Sequence, residues 1–169
     1  GTVTIPADLP GSQPLRLDMR KLVLQAAPAV PGTPPREDSD PRQLPAIEAR
    51  AGEFTWQGRR FGRLDARLER MPQGLRLTHL ATESKDFTLN GRGSWLVESG
   101  GPRTRLALEF ASNDLARASR ALGYRDAVDA DRARASADVN WGGGPAEDVL
   151  GRLDGTVHLE LERGQTRLL

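Results

Sequence analysis

The stretch Phe87–Val97, FTLNGRGSWLV, alternates with a period of two. Phe87, Leu89, Gly91, Gly93, Trp95 and Val97 fall on one face, and Thr88, Asn90, Arg92, Ser94 and Leu96, mostly polar, on the other. Successive side chains of a strand point to opposite faces, so this pattern dictates an amphipathic β-strand and excludes a helix. The two glycines in the middle of the apolar face mark a bend or a close approach by another group.

The same one-sided pattern recurs along the chain. Thr2–Ile5 is a short strand. Leu15–Leu24 is a longer one whose apolar parity switches near Arg20–Lys21, as a β-bulge would make it. From residue 46, alternating segments follow one another across tight turns: Gln57-Gly58, Met71-Pro72-Gln73-Gly74, Glu83–Asp86 and Ser99-Gly100-Gly101-Pro102. Ser112-Asn113-Asp114 then offers a helix N-cap, Leu115, Ala118 and Leu122 repeat at helical spacing, and Gly123 stops them. Alternation returns over Arg132–Trp141 and Val157–Leu161, with a short helical turn expected over 146–153. The reading is mainly β: an antiparallel meander, without βαβ crossovers, carrying one or two short helices. Leading strands occupy 1–24, a proline-rich loop 25–45, and one β segment 46–169 with a helix near 113–122. The loop holds six of the twelve prolines and either spans the surface or separates two parts. The abrupt start and the stop in a strand-like pattern suggest a piece of a longer chain.

Composition narrows the function classes. Hydrophobic residues make up 37% of the chain and mean hydropathy is -0.52, which suits a thin core under a large wetted face. The net charge of +1 gives no bulk attraction to nucleic acid. With no cysteine there is neither disulfide nor thiolate metal site. The two histidines are isolated: His79 shares parity with Leu77, as a partly buried histidine would, and His158 faces solvent between Val157 and Leu159. Asp126, Asp129 and Asp131 lack calcium-loop spacing. Gly142–Gly144 precedes a proline and no lysine, and Ser94, Ser112 and Ser119 lie in no nucleophile-elbow context. Catalysis, cofactor and metal have no support, and the reading is non-enzymatic.

What remains is the apolar face itself, as a core or as a groove lining. Its candidate lining residues are Phe54, Trp56, Leu64, Leu68, Leu75, Leu77, Phe87, Leu89, Trp95, Val97, Leu106, Leu108, Phe110, Val139, Trp141, Val157, Leu159 and Leu161, with Gly91 and Gly93 as points of curvature.

The segments LPAIEARAGEFTWQGRRFGRLDARLERMPQGLRLTHLATES, SNDLARASRALGY, ADVNWGGGP and LDGTVHLELERGQ, in that order, resemble the C-terminal region of the YhdP group of AsmA-like proteins. The resemblance covers most of the chain apart from 25–45, and GGGPAED departs from the shorter apolar link expected after Trp141. It implies a curved, U-shaped β-groove that holds phospholipid acyl chains while head groups stay wet. It further implies a periplasmic segment of an inner-membrane-anchored lipid transport protein of a Gram-negative bacterium, moving lipid toward the outer membrane and supporting envelope integrity. Membrane attachment through other parts of the parent, and envelope protein partners, follow from the same likeness; nucleic acid does not. The alternative is a structural or protein-interaction β-domain with a closed core and no ligand.

Overall fold

A computed structural model of the chain describes residues 1–7, 13–25, 40–125, 130–145 and 152–163. Nine strands form one open sheet in chain order: β1 (Thr2–Thr4), β2 (Leu15–Leu24), β3 (Ile47–Trp56), β4 (Arg59–Met71), β5 (Gly74–Glu83), β6 (Phe87–Glu98), β7 (Gly101–Ser112), β8 (Arg132–Gly142) and β9 (Asp154–Glu162). Among the described residues, one helix, α1 (Leu115–Ala121), follows β7, and one 3-10 turn occupies Pro41–Gln43. The strand content and one-sheet topology agree with the mainly β expectation, and the sheet does not close on itself.

Local chemistry sets each reversal. The β3–β4 hairpin turns through Gln57 and Gly58 at φ of 49° and 76°, the pair of left-handed residues whose twist matches the flanking strands. Between β5 and β6 the Ser84 hydroxyl accepts the N–H groups of Asp86 and Phe87 at 3.2 and 3.1 Å. Asp114 caps α1 by accepting from the Arg117 N–H at 2.9 Å, at the position its sequence context indicates.

One pairing departs from the expected meander: β2 and β3 run parallel, with Leu15 opposite Ile47 and Leu24 opposite Trp56. Parallel neighbours cannot be joined by a tight turn, because the chain must first return along the whole strand. The long connection between Leu24 and Ile47 is what that return requires, so β1 and β2 belong to the same sheet as the rest. Most of loop 25–45, the expected helical turn at 146–153 apart from 152–153, and Asp126 and Asp129 lie outside the described residues.

Irregularities in the ladder keep the apolar residues on one face. β2 and β3 switch parity together, from Met19 and Ala51 to Leu22 and Phe54, without losing their register. The switch passes to β4 as a register shift at Gly62, whose φ is 82°. In β5 the break between Leu77 and Leu80 puts His79 opposite Arg67 on the polar face, where it is exposed. The partly buried place expected for His79 from its parity with Leu77 is thereby corrected. A bulge reverses the parity of every residue beyond it.

Candidate functional site: one apolar face across nine strands

The registers assemble the apolar residues into rows that cross the strands. The central row reads Val3, Leu17, Ala49, Ala66, Leu80, Gly91, Leu108, Ala137 and Val157, one residue from each strand, and all nine are apolar or glycine. A second row runs Met19, Ala51, Leu64, Thr82, Leu89, Phe110, Ala135 and Leu159. A third runs Leu15, Ile47, Leu68, Leu77, Gly93, Leu106, Val139 and Gly155. Leu75, Trp95, Thr104 and Trp141 form a shorter row toward one rim, and Val97 pairs with Pro102 beyond it. At the other rim Phe87, Ser112, Ala133 and Leu161 align, next to Phe54 and Trp56 of β3. All eighteen candidate lining residues thus share one face, together with the alanines 49, 51, 66, 133, 135 and 137 and with Phe61 and Leu80.

Packing differs along this face. Ala49, Ala51, Leu64 and Ala66 are buried and are covered by Leu17, Met19, Leu22, Ile47, Phe54 and Leu80. Aromatic rings continue this cover: Phe61 lies 5.8 Å from Phe54, 6.3 Å from Trp56 and 6.1 Å from Phe87, and Phe87 lies 5.5 Å from Phe110. Such pairs each contribute about 0.5–1.5 kcal/mol beyond the area they bury. On β9 the cover ends: Val157 is 64% exposed and Leu159 58%. The β2–β6 portion is therefore packed by its own side chains, and on β8 Ala133, Val139 and Trp141 are still buried, while β9 presents bare apolar surface.

Gly91 and Gly93 lie where leucines converge. A Cβ on Gly91 would stand 2.7 Å from the Leu108 side chain and 3.3 Å from that of Leu80. A Cβ on Gly93 would run into the Arg105 carbonyl oxygen and stand 2.7 Å from the Leu106 side chain. The glycines make room for leucine methyls and for the neighbouring backbone.

Polar groups on the face are few. Thr104 donates from its hydroxyl to Gly143 O at 2.8 Å, and Trp141 Nε1 donates to Gly144 O at 3.0 Å, which ties the Gly142–Gly144 segment over that rim. Among the described residues, two buried side-chain atoms have no hydrogen-bond partner, Thr82 Oγ1 and Trp95 Nε1.

The opposite face carries the charge. Arg16 pairs with Glu48 at 3.1 Å and Arg50 with Asp65 at 3.6 Å, while Arg105 and Arg103 both reach Glu98. The Arg105 hydrogen bond holds the Glu98 carboxyl below its ordinary range. The depressions described on the sheet lie on this side, one of them lined by Asn90, Glu109, Ser136 and His158. A twisted sheet is saddle-shaped, so each face is concave along one direction. His158 is solvent-facing, as expected, and His79 joins it on the polar side. Among the described residues, no group of three or more His, Asp or Glu could hold a metal ion, and no helix is long and apolar enough to cross a membrane.

A family model described as YhdP protein matches residues 1–169. The intermembrane phospholipid transporter YhdP of Escherichia coli (strain K12) is 24% identical over 124 residues, which are 73% of this chain and 10% of that protein. The chain therefore spans about a tenth of the length of that relative. No solved structure matches it.

Proposed function

The chain belongs to the YhdP family, and from that premise we propose that it forms one segment of a phospholipid conduit. Its apolar face holds acyl chains while its charged face meets water. The observation that carries this reading is the central row, apolar or glycine on every strand from Val3 to Val157. Eight strand spacings of about 4.8 Å make that row roughly 38 Å long. A row that only sealed a core would end where the core ends; this one runs from one open edge of the sheet to the other. Each methylene taken from water onto such a surface gains about 0.8 kcal/mol, so chains are held without a pocket for any one lipid.

In this reading the segment lies in the periplasm, as part of an inner-membrane-anchored parent that carries lipid toward the outer membrane and supports envelope integrity. It performs no chemistry on its cargo. Phe54, Trp56, Phe87, Phe110, Trp95 and Trp141 line the trough near its rims, and the leucines of the inner rows line its floor.

The test is photo-crosslinking in cells from Leu89 and Leu108 on the apolar face, with Asn90 and Glu109 on the polar face as controls. Phospholipid adducts confined to the apolar positions are expected. Equal adducts on both faces, or none on either, would reject the conduit. One observation favours a second reading for part of the segment: around Ala49–Ala66 the face is filled by its own side chains, as in a structural β-domain. There crosslinks from Leu64 should be absent even where Leu108 labels.

A further inference from the structure

Two arginines stand on the apolar face, and they stand at its two rims. Arg59 is the first residue of β4 and pairs with Trp56, so it shares the face of Trp56 and Phe61. Arg70, the penultimate residue of β4, pairs with Leu75 and shares the face of Leu68. The registers put the other described strand arginines on the polar face or at the β2 kink. Five of those are matched by acids, in Arg16–Glu48, Arg50–Asp65, Arg103–Glu98, Arg105–Glu98 and Arg132–Glu162, and the rest face solvent. Among the described residues, no carboxylate lies within ion-pair distance of Arg59 or Arg70. Arg59 instead lies over the Tyr124 ring, 5.0 Å from its centroid. Arg70 donates one hydrogen bond, at 3.2 Å, to the Arg42 carbonyl oxygen.

We infer that Arg59 and Arg70 are the phosphate-binding residues of the trough, one at each rim, and that they position the glycerophosphate end of lipids whose chains lie between them. This rests on the conduit reading. A guanidinium presents five donors in a fork that matches phosphate oxygens, and a single ring contact or carbonyl bond leaves most of that fork free. The flanks suit the boundary between hydrocarbon and head group: Trp56 is 43% exposed and Tyr124 54%, and both are rings with an apolar body and a polar tip. Between the arginines the apolar face of β4 carries Phe61, Leu64, Ala66 and Leu68. Leu64 and Ala66 are buried, so the acyl chains would lie on the side chains that cover them, Leu17, Met19 and Leu80 among them. The eleven-residue step from Arg59 to Arg70 is roughly 36 Å of strand contour. That lies between the thickness of a bilayer's hydrocarbon, about 30 Å, and its thickness with head groups, about 40–45 Å. Two lipids meeting tail to tail across the sheet would set one phosphate against each arginine.

The experiment measures binding of acyl-labelled phosphatidylglycerol and of a diacylglycerol with the same labelled chains to the intact protein. Arg59→Gln and Arg70→Gln are each expected to weaken phosphatidylglycerol roughly tenfold, the scale of a lost charge-assisted phosphate contact, with diacylglycerol unchanged. Arg92→Gln, the same charge change on the polar face, should leave both unchanged. Equal loss of both lipids in the rim variants, or no loss of phosphatidylglycerol, would overturn the inference while leaving the conduit intact. A wild-type protein that binds neither lipid would overturn both. Inorganic phosphate is expected not to displace the lipid at millimolar concentration. Displacement by phosphate alone would assign the arginines to a free anion and overturn the lipid assignment.

Discussion

Gly91 and Gly93 sit two residues apart on one face of β6, yet an added methyl group meets different matter at each. At Gly93 it meets the Arg105 carbonyl oxygen, which is ladder backbone and cannot turn aside. Gly93→Ala should therefore cost about 2–3 kcal/mol of stability, in the range of overpacking that moves backbone. At Gly91 the nearest neighbour is the flexible end of Leu108, with the Leu80 side chain and the Ala107 carbonyl oxygen both at 3.3 Å, and Gly91→Ala should cost less, about 1 kcal/mol. Urea unfolding of the two variants checks the order; equal losses would mean that β7 gives way at both places. A bulkier residue at Gly93 meets that backbone first, so it should lower stability before it alters the apolar face. Thr82 offers the opposite test. Its hydroxyl is buried among Leu64, Leu89 and the rest of its row without a partner, and such a group costs about 1–3 kcal/mol. Thr82→Val keeps the shape and removes that cost, so the midpoint of unfolding should rise.

Among the elements, the turn at Pro41–Gln43 is fastened to the sheet by few bonds. Asp40 caps it by accepting from the Arg42 backbone N–H at 2.9 Å and from the Arg42 guanidinium. Those bonds, the side-chain one foremost, hold the Asp40 carboxyl below its ordinary value of 3.8. A carboxyl lowered in the folded state contributes stability above its unfolded pKa, and the contribution disappears as pH falls through the folded one. Thermal unfolding of wild type and Asp40→Asn should differ above about pH 4 and converge below the lowered pKa; a gap that persists there would mean the cap acts without its charge. The strands were legible because alternation leaves no other reading, and the parity switches at Arg20–Lys21 and Gly62 could be located from the residues alone. The parallel β2–β3 pair was not legible, since alternation says nothing of direction. Nor was the place of His79: Thr78 and His79 form an irregularity that apolar spacing marks only through Leu80, which falls out of step with Leu77. The alternation already put Ala49, Ala51, Ala66, Ala133, Ala135 and Ala137 on the apolar face, where the registers align them in rows. The place of Arg59 and Arg70 on the apolar face was not legible, because an arginine at a strand end reads as turn solvation until the register shows which way it faces.

At the scale of the molecule the sheet has two open edges, and β9 is the less protected. Every residue of β9 is exposed, and its apolar side chains Val157, Leu159 and Leu161 continue the rows that the inner strands cover. An open edge presents unpaired backbone donors and acceptors, and a bare apolar flank adds a driving force for pairing. Sheets limit this hazard with charge on the edge, and β9 does carry Asp154, Glu160 and Glu162; those acids lie on the polar side, away from the apolar rows. This chain by itself should therefore associate through β9 as its concentration rises, edge to edge and with the apolar faces aligned. Leu159→Lys places a charge in the middle of the apolar flank without touching the packed β2–β6 portion, so it should shift the population toward monomer while leaving the unfolding midpoint nearly unchanged. Sedimentation velocity over a concentration series reads both species. Association that survives Leu159→Lys would place the contact elsewhere, with β1 and its exposed Val3 and Ile5 next to be tested.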